Sequence, residues 1–158
     1  MKLDIVNRGV SGDLTSDMLA RFEREVIEQK PNYVIIMGGA NDIGWSLEVN
    51  QIFLNLKNSF DLAESHRIEP VACTVPSILG FDDLIPPRIS LNSMISREAT
   101  RRNMAFVDLF TATADGKTKR LLQRYSGDGL HLNTEGYERL GVIIFNEWLR
   151  KALDQHVR

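Results

Sequence analysis

Three apolar runs constrain the fold of this chain more than any other feature. Tyr33-Val34-Ile35-Ile36-Met37, Val71-Ala72-Cys73-Thr74-Val75 and Ala105-Phe106-Val107-Asp108-Leu109 are each one strand long and rich in β-branched or aromatic residues. Runs that stay apolar on both alternating faces read as strands covered from both sides, as in a parallel sheet. Between them the period changes. Val49, Ile52, Phe53, Leu56, Phe60 and Ala63 recur at three- and four-residue steps and predict a helix. Met18, Leu19, Phe22, Val26 and Ile27 form a shorter helical stripe, to be capped by Thr15 or Ser16 and closed by Pro31. Leu3-Asp4-Ile5-Val6-Asn7 alternates apolar and polar residues, which predicts one more strand, running into a turn at Gly9 and Gly12. Residues 76–88 carry prolines and large apolar side chains and read as a loop, after which a polar helix runs to about Asn103. A final amphipathic helix carries Tyr137, Leu140, Ile144, Trp148 and Leu149, capped by Asn133 or Thr134. Strands alternating with helices predict a three-layer α/β/α domain built on a parallel sheet.

Composition narrows the function classes. A chain of 158 residues is one domain, long enough to bury a core. Its 19 Lys and Arg against 21 Asp and Glu give a net charge of −2, which argues against nucleic acid as the main partner. No apolar run approaches the length of a membrane span. Cys73 is the only cysteine, so neither an intrachain disulfide nor a cysteine metal site is expected. The start, Met1 to Asn7, is too short and too charged for a secretory core, and a cytoplasmic location is expected.

In a parallel sheet, functional residues collect in the loops at the carboxyl ends of the strands. Asp128 and His131, three residues apart in a glycine-containing turn, can place a carboxylate on one imidazole nitrogen and leave the other free as a general base. An Asx-turn at a helix start is the bland alternative. Asn41 follows Gly38-Gly39 directly after an apolar run, where an amide can donate to a developing oxyanion; turn chemistry explains the same residues without function. Gly12 is either a backbone N–H donor or a turn residue needing positive φ. No second His or Cys stands at ligand spacing from His131, and Asp42 would have to be recruited, so no metal is expected. No phosphate-cradling G-x-G-x-x-G or P-loop string is present, and no organic cofactor is expected either. His66 and His156 read as solvated surface residues.

Taken in order, these loops resemble the SGNH hydrolases, also called the GDSL esterase/lipase family. Val6-Asn7-Arg8-Gly9-Val10-Ser11-Gly12-Asp13 is similar to the family's second block, and the resemblance gives Gly12 an oxyanion-hole N–H. Gly38-Gly39-Ala40-Asn41-Asp42 is similar to the third block, whose Asn completes the hole, here Asn41. Asp128-Gly129-Leu130-His131-Leu132-Asn133 is similar to the fifth block, which supplies the triad Asp and His. The resemblance implies a flavodoxin-like sheet and hydrolysis of carboxylic esters, including thioesters or acetylated substrates, through an acyl-serine. Leu79, Phe81, Leu84 and Ile85, with Ile78, are the expected substrate-pocket wall.

One block is missing. The family's first strand ends in Gly-Asp-Ser, whose Ser is the nucleophile, and no Gly-Asp-Ser occurs in these residues. The resemblance therefore implies a domain short by its first strand and helix, with the nucleophile upstream of Met1. The alternative is an inactive relative that binds a ligand or partner. The absent strand would be central, so the sheet is expected to be repaired by direct pairing or by strand exchange in a homodimer. Ser11, with Asp42 or Asp128 and His131, is a weaker alternative triad, since Gly9-Val10-Ser11-Gly12-Asp13 nearly matches a nucleophile elbow.

Overall fold

A computed structural model describes residues 3–155. Strands β1 (Tyr33–Ile36), β2 (Glu69–Cys73) and β3 (Ala105–Val107) form a parallel sheet in the order β1-β2-β3. Ile35 stands opposite Val71, and Val71 opposite Ala105. Helices α1 (Thr15–Ala20), α2 (Phe22–Glu25), α3 (Ala40–Gly44), α4 (Val49–Ser65), α5 (Ile85–Arg102), α6 (Leu109–Thr113), α7 (Thr134–Ile144) and α8 (Arg150–Gln155) complete the chain. A π-type turn over Phe145–Leu149 joins α7 to α8. The sheet separates two cores. Ile36, Ala72 and Val75 pack with Phe22, Ile52, Leu56, Phe60, Leu91 and Ile95 on one side. Val71, Cys73 and Val107 pack with Leu140 and Ile143 on the other. The three-layer α/β expectation therefore holds, because each strand's alternating side chains enter different cores.

β1 departs from it. Ile35 is 42% and Met37 40% exposed, so the strand is covered well on only one face. The alternating segment Leu3–Asn7 is exposed and pairs with no strand, and direct pairing does not repair the sheet among the described residues. Alternation alone makes no strand without a neighbour to complete the ladder.

Other boundaries move for local reasons. The stripe from Met18 to Ile27 breaks into α1, α2 and a single tight turn. Neither Thr15 nor Ser16 caps α1; the cap is Leu14, whose N–H donates to Asp17 Oδ2 at 3.0 Å. Helix α5 starts at Ile85, inside the expected loop, because Pro86 and Pro87 sit in its first turn, where no N–H is needed. β2 ends before Val75, whose N–H and C=O are held by the Asn92 side chain at 2.7 and 2.9 Å. β3 stops at Val107 because Asp108 caps α6, accepting from Thr111 N at 3.1 Å. The final helix starts as expected: Asn133 Oδ1 accepts from Gly136 N at 2.9 Å.

The buried end of α5 is held to α4 by charge. Arg102 reaches Glu98 at 2.7 Å, Asp61 at 2.6 Å and Glu64 at 2.9 Å. Hydrogen bonds from Arg101, then from Arg102, hold the Glu98 carboxyl at about 2, below its ordinary 4.5. A carboxylate with a depressed folded-state pKa stabilises fully above its unfolded pKa and loses that contribution as pH falls through the folded value. Glu98→Gln is therefore expected to lower the melting temperature at neutral pH, with the deficit shrinking between pH 4.5 and about 2. Thermal melts of both proteins across that range check it; a deficit independent of pH contradicts it.

Candidate active site

The turn before α1 is built around one glycine. Asp13 N donates to Val10 O at 3.4 Å, and Gly12 takes φ +85° at the third position, which a type II turn requires of a residue free of a Cβ. Ser11 has no such φ, so it does not occupy the strained position of a nucleophile elbow. After β1, Gly39 takes φ +109° and admits no side chain, since a Cβ there would lie 2.6 Å from Leu91 Cδ2. That close approach lets α3 begin immediately, with Asn41 and Asp42 in its first turn.

Two bonds join these loops. Asn41 Nδ2 donates to Asp13 O at 2.8 Å, which uses one of its two N–H groups and orients the other. Asp42 is buried, and its carboxylate accepts from Thr15 N at 3.0 and 3.1 Å and from Thr15 Oγ1 at 2.6 Å. Asn55 Nδ2 in turn donates to Thr15 Oγ1 at 3.0 Å. Asp42 is thus consumed in holding α1 and α3 together. Among the described residues it meets no histidine and belongs to no group of metal-ligating side chains, so neither alternative role raised for it from the sequence is met there. What remains is a pair of donors, Gly12 N–H and the second Asn41 N–H, on loops held to each other.

The second half lies in the turn before α7. His131 Nδ1 meets Asp128 Oδ2 at 2.7 Å. Asp128 Oδ1 accepts from Leu130 N at 2.9 Å and from His131 N at 2.7 Å. The bond to His131, followed by those backbone N–H groups, holds the Asp128 carboxyl far below its ordinary range. Ser126, which the sequence did not single out, closes the turn: its Oγ donates to His131 O at 2.6 Å and accepts from Gly129 N at 3.0 Å. The turn rests on the loop after β2, where Leu79 N and Gly80 N both donate to Gly129 O at 3.0 Å. Gly129 has φ +81°, and a Cβ there would meet Gly80 N at 3.2 Å. The imidazole is exposed, and Nε2 has no hydrogen-bond partner among the described residues. A histidine with Nδ1 held by a carboxylate and Nε2 open is arranged to take a proton.

The expected pocket wall divides. Leu84 and Ile85 pack with Ile78 and Phe110 in a small core cluster that supports the loop. Phe81 is exposed and Leu79 and Leu84 are half-buried, so these three present apolar surface to solvent. A cleft at the amino ends of β1 and β2, edged by Lys30, Tyr33, His66 and Glu69, lies at the wrong end of the sheet for this chemistry. His66 is a surface residue whose Nδ1 lies 2.9 Å from Leu62 O, and His156 lies outside the described residues. The bonds of Thr15 to Asp42 and of Asn55 to Thr15 gave no sequence signal, because the partners lie 27 and 40 positions apart.

The model of the GDSL-like lipase/acylhydrolase family matches residues 1–139. The chain is 38% identical over 85 residues to the uncharacterized lipoprotein YqeF of Bacillus subtilis, covering 49% of this chain and 35% of that protein. It is 51% identical over 167 aligned positions to an acetylxylan esterase of Geobacillus stearothermophilus, covering 98% of this chain and 74% of the esterase. A solved GDSL-like lipase of Bacteroides thetaiotaomicron superposes with a TM-score of 0.84 at 26% identity, over 94% of this chain and 75% of that one. The chain thus spans about a third of the lipoprotein and about three quarters of the other two.

Asp42→Ala leaves the N–H and hydroxyl of Thr15 buried without an acceptor, and is expected to lower unfolding stability by about 2 kcal/mol. Urea denaturation measures that loss. Amide exchange at Thr15 is expected to quicken with it, and unchanged protection there contradicts the assignment.

Proposed function

The chain belongs to the GDSL-like lipase/acylhydrolase family, and on that premise we propose that its Asp128–His131 pair drives hydrolysis of carboxylic esters through an acyl-serine. The observation that carries the reading is the 2.7 Å contact between His131 Nδ1 and Asp128, with Nε2 left open. Asp128 holds the imidazole in the tautomer that leaves Nε2 basic and stabilises the imidazolium once it forms. His131 Nε2 takes the proton of the attacking seryl hydroxyl. Negative charge then develops on the carbonyl oxygen, to which Gly12 N–H and Asn41 Nδ2 donate. His131 returns the proton to the departing alcohol, and a water repeats the sequence on the acyl-enzyme. The serine is expected in a Gly-Asp-Ser block that is not among these residues. Esters of small acyl groups, acetyl above all, suit the modest apolar surface of Leu79 and Phe81, in keeping with the acetylxylan esterase similarity.

Among the described residues no helix is long and apolar enough to cross a membrane. We propose a cytoplasmic location. One similar protein is named a lipoprotein, so fractionation of producing cells decides the point. The homodimer expected from the sequence belongs to the proposal as well, with the open side of β1 as its contact and sedimentation as its check.

The test is hydrolysis of p-nitrophenyl acetate by the gene product, with fluorophosphonate labelling and peptide mapping. His131→Ala is expected to lower kcat at least about 10³-fold, and Asn41→Ala about 10²-fold. The label is expected on the serine of a Gly-Asp-Ser peptide. A rate unchanged in His131→Ala, or a label on Ser11, overturns the role assignments. Absence of both turnover and label would favour a ligand-binding relative.

A further inference from the structure

One buried guanidinium in this domain has no counter-charge among the described residues. Arg88 is 4% exposed, and its Nη1 donates to Leu84 O at 2.9 Å. Its Nε is buried with no partner. Nη2 makes no hydrogen bond among the described residues and is not among the buried unpartnered atoms, so it keeps contact with solvent. Among the described residues no carboxylate pairs with the guanidinium, and burial pushes its pKa down. The protein's other forked arginines are answered on the same edge. Arg101 donates from Nε and Nη2 to the two Glu98 oxygens at 2.9 and 2.7 Å. Arg120 does the same to Asp82, holding the loop after β2 to the 115–120 turn.

The position of Arg88 relates this edge to the proposed site. Helix α5 runs from the carboxyl ends of the strands towards the start of β3. Asn92 is bonded to Val75 just beyond β2, and Leu91 packs against Gly39 at the head of the oxyanion loop. Arg88 lies one turn, roughly 5 Å, nearer the helix start, level with the loops that follow β1 and β2. A buried guanidinium with one parallel pair of N–H groups unanswered is costly unless a planar bidentate acceptor completes it.

We propose that the Nε–Nη2 edge of Arg88 is a recognition site for the carboxylate of a small organic ligand. The inference rests on the ester-binding reading of this end of the sheet. It makes the preferred ligand an ester that bears a free carboxyl group, or the carboxylic acid released from one. Arg88 selects that ligand and takes no part in proton transfer.

The test reads binding, so a failure of the hydrolysis proposal leaves it interpretable. Monomethyl succinate, its neutral diester dimethyl succinate, and acetate are titrated into the protein by heteronuclear NMR, following the Arg88 Nε–Hε signal. The monoanion is expected to bind at least about tenfold tighter than the diester and to shift that signal. Acetate binding as tightly as the monoester assigns the carboxylate to the released acid; weaker acetate binding assigns it to the ester. Arg88→Met is expected to erase the preference without lowering the melting temperature, since it removes an unpaired buried charge. Equal binding of monoester and diester, an unmoved Hε signal, or a preference that survives Arg88→Met overturns the proposal. The comparison on the unaltered protein stands even if the variant folds poorly.

Discussion

The buried carboxylate of Asp42 is the tie on which the oxyanion half of this domain depends. It accepts three hydrogen bonds from Thr15, at the start of α1, while standing in the first turn of α3. Without it, the exposed bond from Asn41 to Asp13 is the hydrogen bond that remains between the Gly12 turn and the Asn41 loop among the described residues. A buried carboxylate is stable here because each bond comes from a donor that burial would otherwise leave unanswered. The same bonds fix how α1 lies against α3, so rigidity and donor placement come from one interaction.

The acid–base half is held differently. The Asp128–His131 turn is exposed and derives its shape from within, through Ser126 and the amides that donate to Asp128. Its position is set by backbone contact with Gly80, where Gly129, at positive φ and with a Cβ that would lie 3.2 Å from Gly80 N, is the partner that favours glycine. The loop after β2 therefore anchors the dyad, and its apolar residues divide between that support and the solvent face. This explains why Ile85 belongs to the core, Leu84 packs half-buried against it and Phe81 stands outside it.

Much of this was legible in the sequence. The three strands, helix α4 and the Asn133 cap follow from local periodicity and capping chemistry, which depend on neighbours a few residues away. The Asp128–His131 contact was legible for the same reason, since both members lie in one short turn. Leu3–Asn7 shows the limit of such reasoning. Its alternation is that of a strand, but a strand exists only with a hydrogen-bonding neighbour, and the described residues supply none.

By itself, then, the sequence determined the alternation of strands and helices, the loops that carry the chemistry and the residue types within them. Tertiary structure alone decided that Asp42 holds Thr15 and is not free for His131, that β1 is open on one side, and that Arg88 is buried without a counter-charge among the described residues. The physical reason is range. Periodicity, capping and turn chemistry act over one or two turns of chain, whereas burial and charge pairing depend on which distant segments the fold brings together.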